Sequence, residues 1–225
     1  PYSKNLPAEF IEQRFPVTVE RVGLAIDSGG PGKYRGGLGY VKEIRTLVDG
    51  HYTTVTERTA FSSIGIKGGL AGRPGGSMKN PDTEEEESVF FSRDAVPVKR
   101  NDLIRLITPG GGGWGDPLER DVELVRLDVL RRLVSTESAH RDYGVVIQAD
   151  TGDVDHKATE ILRRDFAEAR GPTKLINRGA YAQTLIEKGH IAVSDPHLES
   201  SDLANDEVLT HYWKDLYKYS NKPSA

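Results

Sequence analysis

The chain has 225 residues, enough to bury a core of its own, with 36% hydrophobic residues and a formal net charge of −4. That balance lacks the Lys/Arg excess of a nucleic-acid binder, and no apolar run approaches the ~18 residues of a membrane span. There is no cysteine, which excludes a disulfide framework, a thiolate metal site and a thiol nucleophile; no signal peptide is read, and a cytoplasmic setting is expected.

Residue 1 is Pro and the single methionine is Met78, so the sequence reads as processed, trimmed or the back part of a longer polypeptide. Residues 1–15 predict an extended lead-in with a helical turn at Pro7–Glu12. Residues 16–26 alternate as a strand should. A first glycine loop follows, Asp27-Ser-Gly-Gly-Pro-Gly-Lys-Tyr-Arg-Gly-Gly-Leu-Gly39. Residues 39–48 and 51–60 predict two strands, with Asp49-Gly50 between them as a hairpin signal. A second glycine loop spans 65–76, and the acidic run Asp82–Glu87 reads as a solvated loop. Residues 88–93 and 102–107 are further strands.

The third loop, Thr108-Pro-Gly-Gly-Gly-Gly-Trp-Gly-Asp-Pro117, is the most informative segment. Together the three loops hold 17 of the 24 glycines. Glycine loses the most backbone freedom on folding, so such clustering requires positive φ angles or a backbone that something approaches closely. A helix is expected to start at Asp116-Pro117, with aspartate as cap and proline at the first position.

Beyond it the period changes. Val122, Val125, Val129 and Leu133 mark one face of a helix over 118–134. A short helix at 136–142 leads to a buried strand at Val145-Val146-Ile147. Ala158, Ile161, Leu162, Phe166 and Ala169 give an amphipathic helix over 154–170, ended by Gly171-Pro172. Further helices are expected near 177–188 and 202–219; the latter carries Val208, Leu209, Tyr212, Trp213, Leu216 and Tyr217 as a stripe expected to be buried against its own chain or a partner. The pattern is α+β without βαβ alternation: a glycine-punctuated β-rich region 1–117, a helical region 118–170 and a helical tail 171–225.

Gly110-x-Gly112-x-x-Gly115 matches a dinucleotide fingerprint literally, but the helix can start only after Gly115 and no repeated βαβ units follow. Gly29–Lys33 is not a phosphate-binding P-loop, because Asp27 and Tyr34 occupy its Gly and Ser/Thr positions. Consecutive glycine amides can form an anion nest, which makes Lys33, Arg35, Arg73, Gly111 and Gly112 candidates for holding a carboxylate, carbonate or enolate-like oxygen. The alternative is that the loops pack on one another or on another subunit, with Asp27, Gly29, Gly30, Gly32, Trp114 and Asp116 as structural residues. The six histidines show no metal-ligand spacing, and no Gly-x-Ser-x-Gly elbow is present. The residues alone show no complete catalytic constellation and no metal site.

From about 16 to 170 the chain resembles the C-terminal part of the hydantoinase B / 5-oxoprolinase family. The matching residues are Val19-Glu20-Arg21, the Asp27–Gly39 loop, Glu57-Arg58-Thr59, Gly68-Gly69 with Gly72-Arg-Pro-Gly75, and the decapeptide extended through Leu118-Glu-Arg-Asp121. Leu133-Val134-Ser135, Ala139, Tyr143–Val146 and Asp153-Val-Asp155 also fit; residues from about 171 onward do not. The resemblance implies a partner of the hydantoinase A type that binds ATP and Mg²⁺ and phosphorylates a carbonyl or amide oxygen. It implies ATP-dependent opening of a cyclic amide or, in the related acetone and acetophenone carboxylases, carboxylation of a ketone; a non-catalytic scaffold role is the rival reading. The family's metal-binding Asp and His residues are implied to lie in a front part of the B-type subunit outside this sequence. No catalytic residue, metal ligand or cofactor is therefore assigned here, and the isolated chain is expected to be inactive.

Overall fold

The computed structural model describes residues 5–89 and 92–188. Among them the chain runs α1 (Ala8–Arg14), β1 (Val17–Leu24), β2 (Tyr40–Thr46), β3 (Gly50–Thr54), β4 (Gly65–Ile66), β5 (Gly76–Lys79), β6 (Glu87–Val89), β7 (Arg93–Val98), β8 (Leu103–Ile107), α2 (Val122–Leu130), α3 (Thr136–Tyr143), α4 (His156–Arg170), β9 (Ile176–Asn177) and α5 (Ala180–Glu187). Five strands make an antiparallel sheet in the order β1-β2-β8-β5-β6. β3 pairs with β7, and β4 with β9. The class is α+β, with the strands in front and most helices behind, as the periodicity predicts.

β1 shows how the sheet sorts its side chains. Val17 and Val19 pair with Thr46 and Ile44, the register then shifts at Glu20, and Val22 and Leu24 pair with Lys42 and Tyr40. An unbroken period of two would send Val22 and Leu24 to the face opposite Val17 and Val19; the bulge returns them to the same face. That face continues into Ile104 and Leu106 of β8. The opposite face is charged. Buried Arg105 donates to Glu43 (2.6 Å) and to Asp82 (3.0 Å). Asp82 thus serves a buried guanidinium while staying exposed in the solvated acidic run with Glu84 and Glu85.

The helical region has its own core. Val125, Val134, Ala139, Tyr143, Val145 and Val154 are buried together, with Val122, Val129 and Ile147 against them. The starts of α2, α3 and α4 are each capped by a side chain. Asp121 accepts from Glu123 and Leu124, Ser135 from Ser138, and Asp155 from Ala158. α3 ends on left-handed Gly144, and Gly171 caps the end of α4.

Five expectations need correction. Asp49-Gly50 does not close a β2–β3 hairpin: both edges of β2 are already taken by β1 and β8, so β3 leaves the sheet and pairs with β7. The Asp49 carboxylate instead accepts from the Arg100 amide (2.7 Å). The strand expected over 88–93 is divided between β6 and β7. The helix expected over 118–134 is a 3-10 turn at Pro117–Glu119 followed by α2, and Arg132 at φ +56° lies beyond its end. Val145–Ile147 forms only one bridge, Ile147 to Val154, because Val145 is buried in the helical core and not in a sheet. The apolar stripe of α4 is also only partly covered: Ala158, Leu162 and Phe166 are half-buried, Ile161 and Ala169 are exposed, and the helix's buried residue is Thr159, outside the stripe. The helix expected at 202–219 lies outside the described residues.

Candidate functional site

The three glycine loops meet in one hub. The decapeptide leaves the end of β8 and runs between the other two. Gly110 N–H donates to Arg73 O (3.0 Å), and Arg73 N–H to Ser28 O (2.8 Å). Gly30 N–H donates to Gly111 O (2.8 Å), Gly111 N–H to Gly37 O (2.9 Å) and Gly36 N–H to Gly30 O (2.9 Å). One step on, Gly113 N–H reaches Leu70 O (2.9 Å), Leu70 N–H reaches Pro31 O (2.7 Å) and Ile66 N–H reaches Gly113 O (3.0 Å). Trp114 and Tyr34 exchange both backbone bonds (3.0 and 2.9 Å). Backbone amides and carbonyls thus satisfy one another across three segments distant in sequence.

This packing explains the glycines. A Cβ on Gly112 would stand 1.8 Å from Ile64 O, and one on Gly36 would stand 2.0 Å from Gly111 O. Gly30 and Gly32 likewise lie against backbone of the neighbouring loops, and Gly29 against Gly36 and Gly37 of its own. Within the decapeptide only Gly115 has a positive φ, +73°. Close approach, and not backbone sign, is the reason for most of this composition.

The three candidate cations ring the hub without converging. Lys33 Nζ pairs with Glu119 (3.2 Å) on an exposed edge. Arg35 Nε holds Asp128 (3.0 Å), and the same guanidinium donates to Gly36 O (3.0 Å). Arg73 lies 3.8 Å from Asp27. Each has a carboxylate of this chain beside it, and the amides of Gly110, Gly111 and Gly113 donate to carbonyls. Asp27, at φ +60°, also accepts from the Ser135 amide (2.7 Å), which ties the first loop to the start of α3. Asp116 caps the 3-10 turn through the Leu118 amide (2.8 Å) and pairs with Arg170 of α4.

Trp114 and Tyr34 are the outward face of the hub, 44% and 62% exposed, with ring centres 5.5 Å apart. Lys67 Nζ lies 5.2 Å from the Trp114 ring, a cation–π distance.

Sequence reasoning missed the buried charge cluster under the hub. Asp128 of α2 accepts from Arg35 and from Arg120 (2.9 Å), and Arg120 also donates to Lys33 O (3.0 Å). The one signal for it was an aspartate three residues after Val125, on the buried side of α2. Tyr143 lies beside the cluster with no protein hydrogen-bond partner for its hydroxyl. Burial pushes its pKa well above the tyrosine range, with Arg120 and Arg35 pulling the other way. Ser28 was also missed as a side chain: its buried hydroxyl donates to Ala25 O (2.6 Å) and accepts from Gly39 N–H (2.9 Å).

Among the described residues no group of three His, Asp or Glu stands close enough to hold a metal ion, and no helix is long and apolar enough to cross a membrane. His51, His140 and His156 are all exposed.

An interlocked glycine hub caps an antiparallel sheet, and helices are tied to it by ion pairs. The family follows from comparison: the hydantoinase B/oxoprolinase model matches residues 1–117, and the chain belongs to that family. The B-type member of a putative D-/L-hydantoinase from a Pseudomonas species is 32% identical over 163 residues, covering 72% of this chain and 27% of that one. The beta chain of the Pseudomonas jessenii caprolactamase is 33% identical over 161 residues, 69% of this chain and 27% of that one. The crystal structure of the ATP-dependent caprolactamase from that organism superposes with TM-score 0.57 at 32% identity, over 70% of this chain and 28% of that one. Nucleotide-free acetone carboxylase covers all of this chain and 34% of its own with TM-score 0.55; at 18% identity the likeness is one of fold. The chain spans just over a quarter of the length of the curated relatives it matches.

Proposed function

We propose that this chain is the C-terminal portion of a B-type subunit in an ATP-dependent hydrolase that opens a cyclic amide. The carrying observation is its 33% identity, over 161 residues, to the beta chain of a caprolactamase. In this reading an A-type partner binds ATP and Mg²⁺ and phosphorylates the amide oxygen. Phosphorylation turns a poor electrophile into one that water attacks, so the ring opens and phosphate leaves. The front portion of the B-type subunit supplies any divalent metal and the groups that position water. This portion holds the assembly's geometry through the hub, with Gly111, Gly112, Lys33, Arg35 and Arg73 acting through hub integrity. It has no turnover alone, and its dependence on ATP sets it in the cytoplasm.

The test is the assembly purified with its ATP-binding partner and given ATP, Mg²⁺ and caprolactam, hydantoin or 5-oxoproline. ADP release matched by ring-opened amino acid is expected. ADP release matched instead by carboxylation of acetone or acetophenone with labelled bicarbonate replaces the hydrolase reading with the carboxylase one. Neither product, from an assembly shown to be intact, leaves the scaffold reading.

A further inference from the structure

The face of the five-stranded sheet that carries Val17, Val19, Val22 and Leu24 is only half covered. α1 and the segment after β3 roof one end and enclose a groove of about 490 Å³. Its walls include Ile11, Phe15, Ile44, Val55, Leu106 and Thr56, and no charged side chain lines it. An apolar void of about 150 Å³ already stays dry and binds a small hydrocarbon, and native interiors rarely leave more than a water-sized gap. This groove is some three times that size. The buried Thr56 hydroxyl has no protein partner, and the Tyr52 hydroxyl, also on the wall, lies beside Ser77 without a well-formed hydrogen bond.

Past the roof the same face runs on uncovered. Val22 is 61% exposed and Leu24 52%. The bulge at Glu20 has turned both toward that face, although a strand in water would favour polar residues there. β1 is also the sheet's edge, eight residues long, with no strand beyond it among the described residues. The bulge, Glu20 and Arg21, and the Glu12 carboxylate on the Val19 amide (2.8 Å) blunt that edge, but they leave the Val22 and Leu24 side chains bare.

We propose that this face is the seat of the rest of a B-type subunit: a stretch of that chain fills the groove with apolar side chains, reaches Thr56 with a polar group and covers Val22 and Leu24. The inference rests on the functional reading only in assigning the chain to a B-type subunit. A small molecule in the groove would leave Val22 and Leu24 bare, whereas a stretch of chain covers both. The relatives supply the material, since the matched region is only 27–28% of their length.

The test is photo-cross-linking. Benzoylphenylalanine is placed at Val22 in the assembly made in its own cells, and the cross-linked peptide is identified by mass spectrometry. A peptide from the B-type sequence that precedes this region is expected. In parallel, Val22→Lys in the chain alone shifts the melting temperature by no more than about 2 °C, as at an exposed site. In the whole subunit the same change lowers the yield of folded protein at least about tenfold, because a second ammonium would be buried beside Lys42, the residue paired with Val22. A cross-link to residues 189–225, to a second copy of the chain or to the ATP-binding partner overturns the proposal, and so does a normal yield of the folded Val22→Lys subunit. The readout is a peptide and not turnover. Failure to open cyclic amides would therefore defeat the functional reading and leave this one standing.

Discussion

The sharpest test of the hub compares two adjacent glycines. Neither Gly111 nor Gly112 has a positive φ, so alanine is conformationally allowed at both, and only space distinguishes them. At Gly112 the added Cβ would lie 1.8 Å from Ile64 O and 2.5 Å from Ile64 C. Ordinary C···O approach is about 3.3–3.6 Å, so backbone must move by about 1.5 Å. That backbone is pinned on both sides: Ile66 donates to Gly113, and Gly113 donates to Leu70. Overpacking costs about 1–3 kcal/mol when side chains can yield, and more when they cannot. Gly112→Ala is therefore expected to cost about 4 kcal/mol or more, a fall of roughly 8–16 °C in melting temperature for a chain of this size. At Gly111 the nearest atom is Gly37 N at 3.2 Å, which a few tenths of an ångström relieve. Gly111→Ala should cost about 1 kcal/mol, or roughly 2–4 °C. Circular dichroism melts of the two variants decide the matter. Equal melting temperatures would refute the claim that close backbone approach dictates these glycines.

Three further outcomes follow from the same geometry. Asp128→Asn leaves Arg35 and Arg120 buried without a counter-charge and should cost about 3–5 kcal/mol by denaturant titration; a loss below about 1 kcal/mol would mean the cluster is solvated. Tyr143→Phe tests pH linkage: the folded state resists ionising this phenol, so it binds more protons than the unfolded chain above the unfolded tyrosine pKa of about 10, and stability falls as pH rises beyond that value. The variant should match wild type near pH 7 to within about 1 kcal/mol, since its hydroxyl has no protein partner, and lose less stability between about pH 9 and 11; parallel pH profiles would contradict this. Asp27→Ala removes the acceptor for Ser135 N–H and should cost about 2 kcal/mol, with hydrogen exchange rising first at the start of α3.

Much of the architecture is legible in the residues. The alternation over 16–26, the cap at Asp116 and the stop at Gly171 all act through neighbours a few positions away, where sequence speaks directly. The bulge at Glu20 shows only as apolar residues changing parity, Val17 and Val19 against Val22 and Leu24, which plain alternation conceals. Asp49-Gly50 carries good turn chemistry, but whether β2 has a free edge depends on β1 and β8, which no local signal reports. The glycine clusters show that something must come close. They cannot show that Gly110 meets Ser28 or that Gly112 meets Ile64, because glycine has no side chain to mark its partner. Asp128 escapes notice because a single carboxylate in a helix is normally solvated, and its partners Arg35 and Arg120 come from separate segments.

The interlocking of the loops also sets a timetable for the newborn chain. Gly30 and Arg35 must wait for Gly111 and Asp128, and Asp27 for Ser135, residues 93 to 108 positions later for the side-chain pairs. β2 must wait for β8 across most of the same interval. At roughly 5–20 residues per second, synthesis alone holds the first loop open for about 4–20 s. Loop closure over such distances is entropically expensive and slow. The centre of the sheet and the knot of glycines therefore close together, late, and as one event. Until then the Asp27–Gly39 segment is a run of unprotected amides.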